Sequence, residues 1–229
     1  MKKIILLLLL LAVNYNSFAV SKEDKERESS YLLQIKNEND SDAMFDLGLL
    51  YDEQEKYDLA EKYYLMAVKY NNGSAMTNLG LIYENQKKYD LAEKYYLMAV
   101  EEESDTGMYN LGLLYDNQKK YTLAEKYYLM AIQKNYSDAM YNLALLYDNQ
   151  EKFSLAEKYY LMAIKENDSD AMYNLGLIYD NQKKYPLAEK YYLMAVEAND
   201  SDAAFNLALL YDNQKKYNLA EKYYLIAVK

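Results

Sequence analysis

Carboxylates, amides and phenols are the groups in this chain that recur at spacings able to do chemistry. Among its 229 residues are 36 Asp and Glu and 30 Tyr, but no His and no Cys. That excludes Ser-His-Asp and Cys-His catalysis, and zinc sites built on His or Cys. A carboxylate pair for acid/base work needs its two members in unlike environments. Here the acids recur in register, as Asp52, Glu84, Asp116, Asp148, Asp180 and Asp212. They read as a solvated face, so no enzymatic activity, metal or cofactor is expected. Beside them runs a row of amides, Asn78, Asn110, Asn142, Asn174 and Asn206, with Asp46 in the first copy. Tyr109, Tyr141 and Tyr173 each precede one of these by a residue. An amide offers donor and acceptor together, so such a row can pair with a peptide backbone irrespective of its sequence. The alternative is an echo of duplication, in which each Asn merely hydrates or bonds to a neighbouring helix.

What must position these groups is a repeat. The heptapeptide Leu-Ala-Glu-Lys-Tyr-Tyr-Leu starts at Leu59, Leu91, Leu123, Leu155, Leu187 and Leu219, a spacing of 32 residues each time. A fixed period in that range means stacked supersecondary units and not one globular core. In the first copy, residues 41–72, Met44, Leu47, Gly48 and Tyr51 mark one face of a helix, A, at i, i+3, i+4 and i+7. Residues 52–56 carry the chain to a turn. Asp58 followed by Glu61 has capping-box spacing, which starts a second helix, B, near 58 and runs it to about 69. Asp90, Thr122, Ser154 and Asn218 take the same place in other copies, and Pro186 fits a helix start. Ala60, Tyr64 and Ala67 share the inner face of helix B. Gly48, Gly80, Gly112 and Gly176 give way to Ala144 and Ala208 in two copies, so that position requires smallness and not positive φ. Of the 30 tyrosines, 23 fall on the positions of Tyr51, Tyr57, Tyr63 and Tyr64. The expectation is core for Tyr51, Tyr57 and Tyr64, and partial exposure for Tyr63.

The ends and the charge set the compartment and the partners. Lys2 and Lys3, a short apolar run over 4–13 and Ser17-Phe18-Ala19 match a secretory signal peptide, 1–19, cleaved after Ala19. The apolar run is too short for a stable span, so no membrane span is expected once the signal is removed. The protein is therefore expected to be exported, to a periplasm or to the exterior. Net charge is −10, and losing Lys2 and Lys3 makes it −12. An acidic surface repels phosphate backbones, so nucleic acid is not an expected partner, whereas basic or neutral proteins and peptides are. Residues 20–40 form a charged N-terminal segment whose 28–36 stretch, with Tyr31-Leu32-Leu33, reads as a capping helix after a fraying 22–27.

The residues Met44, Leu47, Gly48, Tyr51, Ala60, Tyr64 and Ala67, repeated on one spacing over 41–229, resemble the tetratricopeptide repeat (TPR) family. The short turn between copies, with Asn-Asp-Ser-Asp-Ala and no proline, is similar to the related Sel-like repeats. The resemblance implies an all-α, right-handed α-solenoid of six helix-turn-helix repeats plus the N-terminal capping helix. It also implies a protein-protein interaction scaffold whose concave groove, lined by the A helices, takes a peptide or partner protein. Carried over residue by residue, the groove positions are Asp138, Tyr141, Asn142, Leu145 and Asp148 in the fourth copy, and Asp170, Tyr173, Asn174, Leu177 and Asp180 in the fifth. The Lys and Arg of TPR clamps that hold a C-terminal carboxylate are not at the matching positions. The last B helix carries Leu219, Tyr223 and Ile226 on a face with no following repeat. That face either seals by self-association, which would suit a structural or self-assembling envelope protein, or stays partly exposed.

Overall fold

The computed structural model describes residues 21–228. The signal peptide expected over 1–19 and its cleavage after Ala19 lie outside the described residues. Thirteen helices account for the described chain, and no strand occurs among the described residues. They are α1 Lys22–Glu38, α2 Ser41–Glu53, α3 Tyr57–Val68, α4 Gly73–Asn85, α5 Tyr89–Glu101, α6 Asp105–Asn117 and α7 Tyr121–Gln133. Then follow α8 Asp138–Asn149, α9 Phe153–Lys165, α10 Ser169–Asn181, α11 Tyr185–Glu197, α12 Ser201–Asn213 and α13 Tyr217–Ala227. This is the expected all-α repeat solenoid of paired helices behind a capping helix. The chain divides into two compact units, Met1–Gly107 and Met108–Lys229. No helix among the described residues is long and apolar enough to cross a membrane.

Within each unit, A and B helices pair by letting a ring meet a backbone. A Cβ placed on Gly112 would lie 2.7 Å from the Tyr128 ring, and one on Gly176 would lie 2.6 Å from the Tyr192 ring. Tyr64, Tyr96, Tyr128, Tyr160 and Tyr192 are fully buried in consequence, as are Leu47, Leu79, Leu111, Leu143, Leu175 and Leu207 of the A helices. Ala144 and Ala208 occupy the small position without exposure, so smallness is what it requires.

The turns explain the short period. At the end of α2 the Lys56 N–H donates to the Tyr51 carbonyl at 2.8 Å and the Glu55 N–H to the Asp52 carbonyl at 2.8 Å. Glu55 sits at φ 58. This is a Schellman motif, whose left-handed residue is usually Gly. The αL seat is held here by Glu55, Lys87, Lys119, Glu151, Lys183 and Lys215 in the A–B turns. In the turns between repeats it is held by Asn71, Glu103, Asn135, Asn167 and Asn199. At the α11–α12 junction the Asp200 N–H closes the motif on the Ala195 carbonyl, and the Asp200 carboxylate caps the Ala203 N–H at 2.8 Å. One residue thus ends one helix and starts the next.

Three local expectations change. The side-chain caps belong to the A helices, at Asp40, Asn72, Asp168 and Asp200. Helix α3 starts at Tyr57 with Lys56 as N-cap and no side-chain cap bond, so Asp58 is not a cap. The Glu61 expected to complete the box instead accepts the Tyr83 hydroxyl at 2.6 Å. Tyr57 is 55 % exposed, whereas Tyr127, Tyr159 and Tyr191, on the position of Tyr63, are 7 % exposed. The first residue of a helix leans over the turn before it, where no neighbour waits. The capping helix also begins earlier than expected. Ser21 and Asp24 form a true capping box, so 22–27 is helical and not frayed.

Candidate functional site

The amide row lies on the A helices, and Asn78, Asn110, Asn142, Asn174 and Asn206 are all half-buried. In the second unit Asn142, Asn174 and Asn206 are tied to the repeat before them. Asn142 Nδ2 donates to the Tyr109 hydroxyl at 3.0 Å, Asn174 Nδ2 to Tyr141 at 3.1 Å, and Asn206 Nδ2 to Tyr173 at 2.9 Å. Asn142 and Asn174 also donate to the carbonyls of Asp138 and Asp170, each at 3.0 Å. An amide nitrogen has two hydrogens, so both are spent at Asn142 and Asn174, and Oδ1 is the atom left there for a ligand. At these two positions the row is an acceptor row. It does not offer donor and acceptor together, as the sequence suggested. In the first unit the residue one repeat back is Phe45, which has no hydroxyl, and Asn78 Nδ2 turns to the Tyr64 hydroxyl at 3.1 Å.

The tyrosines of the row are therefore structural anchors as well as surface. Tyr109, Tyr141 and Tyr173 are half-buried and tilt against Tyr128, Tyr160 and Tyr192 at centroid distances of 6.2, 6.0 and 6.2 Å. Burial raises their phenol pKa, and the Asn bonds work against that rise. Behind them, Asp148 and Asp180 are half-buried and face the hydroxyls of Tyr160 and Tyr192. Those two hydroxyls stop short of hydrogen-bond geometry. Burial raises the pKa of both carboxyl groups, with the phenols partly offsetting it. The arrangement holds carboxylates on a partly dry surface beside carbonyl-type acceptors, which is a place for a donor or a cation. No group of three or more Asp and Glu among the described residues could hold a metal ion.

In the first unit the same face forms a pocket of about 470 Å³. Asp52 from α2 and Asn78 from α4 bring the acid and amide rows together there, and Tyr57 from α3 stands beside them. Leu81 and Ile82 supply the apolar lining, and Asn85 and Gln86 complete it. Tyr57 was not foreseen here, because its spacing to Ala60 and Tyr64 reads as core. The lysine before the tyrosine at the A–B turn, Lys56 here and Lys88, Lys120, Lys184 and Lys216 in other copies, was the available signal that the residue stands at a helix start.

On another face, each repeat stacks two tyrosines between two lysines. Tyr179 and Tyr191 lie 5.6 Å apart at 21°, with Lys184 5.6 Å from the first ring and Lys190 4.8 Å from the second. The hydroxyl of the first ring ties repeats together, as Tyr179 to Glu157 at 2.7 Å and Tyr211 to Glu189 at 2.8 Å. The capping helix enters the same scheme through Tyr51 and Glu28, at 2.6 Å.

Paired helices repeated in register, with polar rows on the A helices, define a helical-repeat protein. Family models described as Tetratricopeptide repeat match residues 45–107, 141–203, 105–133 and 201–229. The chain belongs to the tetratricopeptide repeat family. No curated protein matches it. Among solved structures it is similar to c5321, a protective antigen present in uropathogenic Escherichia coli strains and displaying an SLR fold. That match has a TM-score of 0.72 at 18 % identity, over 90 % of this chain and 53 % of the antigen. The chain thus spans about half the length of that relative. A Sel1 repeat protein from Oxalobacter formigenes matches with a TM-score of 0.68 at 22 % identity, over 90 % of this chain and 92 % of the other. YrrB, a TPR protein with an unusual peptide-binding site, matches at 0.56 and 20 % identity, over 72 % and 90 %. At these identities the likeness establishes the fold, one typical of protein-protein interaction scaffolds.

Proposed function

We propose that this protein is an exported scaffold that binds a basic or neutral peptide, or a segment of a partner protein, along the groove of its A helices. The observation that carries this reading is the row of Asn142, Asn174 and Asn206, each held by a tyrosine one repeat back with Oδ1 left to accept. A row of fixed acceptors one repeat apart suits the N–H groups of an extended chain. Asp148 and Asp180 add charge that favours a basic segment. Each contact is weak alone, about 0.5–1 kcal/mol when exposed, so affinity builds over several repeats. Export rests on Lys2-Lys3, the apolar run and Ser17-Phe18-Ala19; the exported protein should have an intact mass beginning at Val20.

The test is selection of a displayed peptide library on the intact chain, followed by variants. Asn142→Ala and Asn174→Ala together should weaken the selected peptide about tenfold or more. Tyr141→Phe removes the hydroxyl that holds Asn174 but leaves Oδ1, and should weaken binding less than the paired Asn changes do. Equal losses from both changes would assign the row to structure alone, and unchanged binding in both would move the interaction surface elsewhere.

A further inference from the structure

The pocket between α2, α3 and α4 has a chemistry more specific than a general acceptor row. Asn78 gives one amide hydrogen to the Tyr64 hydroxyl at 3.1 Å, and its Oδ1 remains an acceptor. Asp52 takes part in none of the ion pairs found among the described residues, which are confined to α1 and its contact with Glu53. Its counterpart one repeat on, Glu84, is already engaged by the Tyr96 hydroxyl at 2.8 Å. Asp52 makes no such phenol bond, and the Tyr64 oxygen accepts from Asn78. Tyr57 offers a ring that is 55 % exposed, and Leu81 beside it is 40 % exposed. The volume, about 470 Å³, is near the small end for ligand sites and suits one long side chain with its flanking backbone.

We propose that this pocket takes an arginine side chain of the bound segment, with the guanidinium between the Asp52 carboxylate and the Tyr57 ring. The proposal rests on the reading of the A-helix face as a peptide-binding surface and names the side chain that the first unit selects. A guanidinium is planar, carries five donors and no acceptor, and stacks on aromatic faces. It can meet the Asp52 carboxylate and the Oδ1 of Asn78 at once while its plane covers Tyr57. Its three methylenes lie against Leu81 and Ile82, as long basic side chains do on apolar surface. The carbonyls of the Asn85 and Gln86 side chains extend the acceptor set. Lysine brings the charge as a compact point on a flexible stem and does not stack as a plane. A neutral isostere of arginine keeps the shape and most donors but leaves Asp52 without its cation.

The test follows the side-chain amide resonances of Asn78, Asn85 and Gln86 in the intact chain during titration with three small probes. These are N-acetyl-arginine amide, N-acetyl-lysine amide and N-acetyl-citrulline amide. Saturable shifts are expected with the arginine probe, several-fold weaker binding with lysine, and none with citrulline. Asp52→Asn should weaken the arginine probe about tenfold, and Tyr57→Ala should weaken it while Tyr57→Phe does not. Unchanged melting in these variants keeps a folding defect out of the comparison. No saturable shift with arginine, equal binding of citrulline, or indifference to Asp52→Asn would overturn the proposal. The two readings fail separately. Selected peptides that lack arginine and ignore Asp52→Asn sink the pocket and leave the groove, whereas arginine binding with no peptide ligand on Asn142 and Asn174 sinks the groove and leaves the pocket.

Discussion

Raising the pH should unfold this protein through its own tyrosines. Tyr64, Tyr96, Tyr128, Tyr160 and Tyr192 are fully buried in the pairing of A with B helices. Burial lifts the Tyr64 phenol from an ordinary 10.0 to about 12, and the other four are lifted by the same cause, aided by Glu84 at Tyr96 and by Asp116, Asp148 and Asp180 at the last three. In the unfolded chain each phenol ionises at its ordinary value. A group whose folded pKa is raised contributes stability that is fully present below the unfolded pKa and is lost as pH climbs toward the folded one. At about pH 11 the unfolded state has released these protons and the folded state has not, which costs about 1.4 kcal/mol per ring. Five rings amount to roughly 7 kcal/mol, comparable with the whole stability of a typical domain at about 5–15 kcal/mol.

The measurement is parallel titration by tyrosinate absorbance and far-ultraviolet circular dichroism. The buried set should ionise in one cooperative step that coincides with the loss of helicity near pH 11. Tyr160→Phe should move that step upward, since the Tyr160 hydroxyl makes no hydrogen bond that the change would remove. If all phenols titrate together near their ordinary value while the helices persist, or helicity survives beyond about pH 12, the argument from burial is wrong.

Three further outcomes follow from the same geometry. Burial raises the carboxyl pKa of Asp52, Asp116, Asp148, Asp168 and Asp180 above 3.8, so the folded state takes up protons before the unfolded one does. Stability should therefore rise as pH falls from neutral toward 3.8, and Tm at about pH 4.5 should exceed that at about pH 8. Asp200→Ala removes the carboxylate that caps the Ala203 N–H at 2.8 Å and should cost about 1 kcal/mol in chemical denaturation. Lys183→Gly relieves a left-handed residue at φ 58 and should raise stability by about 0.5–1 kcal/mol, because relief of the αL penalty outweighs the extra chain entropy of Gly.

What was legible in the sequence is what a single helix or a single repeat decides. The helix-turn-helix period, the small residue opposite a large ring, and the seating of Leu47, Tyr64 and their copies all follow from spacing within 32 residues. Local chemistry misled where two signals overlapped. Asp58 and Glu61 have capping-box spacing, but the Schellman turn has already set Lys56 as the N-cap, and that leaves Glu61 for a partner one repeat away. Tyr57 has core spacing but stands at the first helical position, where the repeat provides nothing to cover it. The amide row was legible as a row, and its chemistry was not. Whether Asn174 can donate to a ligand depends on Tyr141, 33 residues earlier, and where Asn78 donates depends on Phe45 lacking a hydroxyl. Near-identical repeats therefore do not make identical sites. With Phe at position 45, where later repeats carry Tyr109, Tyr141 and Tyr173, Asn78 donates to Tyr64, and Asp52 stands beside an exposed ring. Phe45→Tyr should then draw Asn78 Nδ2 to the new hydroxyl, as at Asn142 and Asn174, which would shift the Asn78 side-chain amide resonance while Asp52 and Tyr57 keep their hold on the arginine probe.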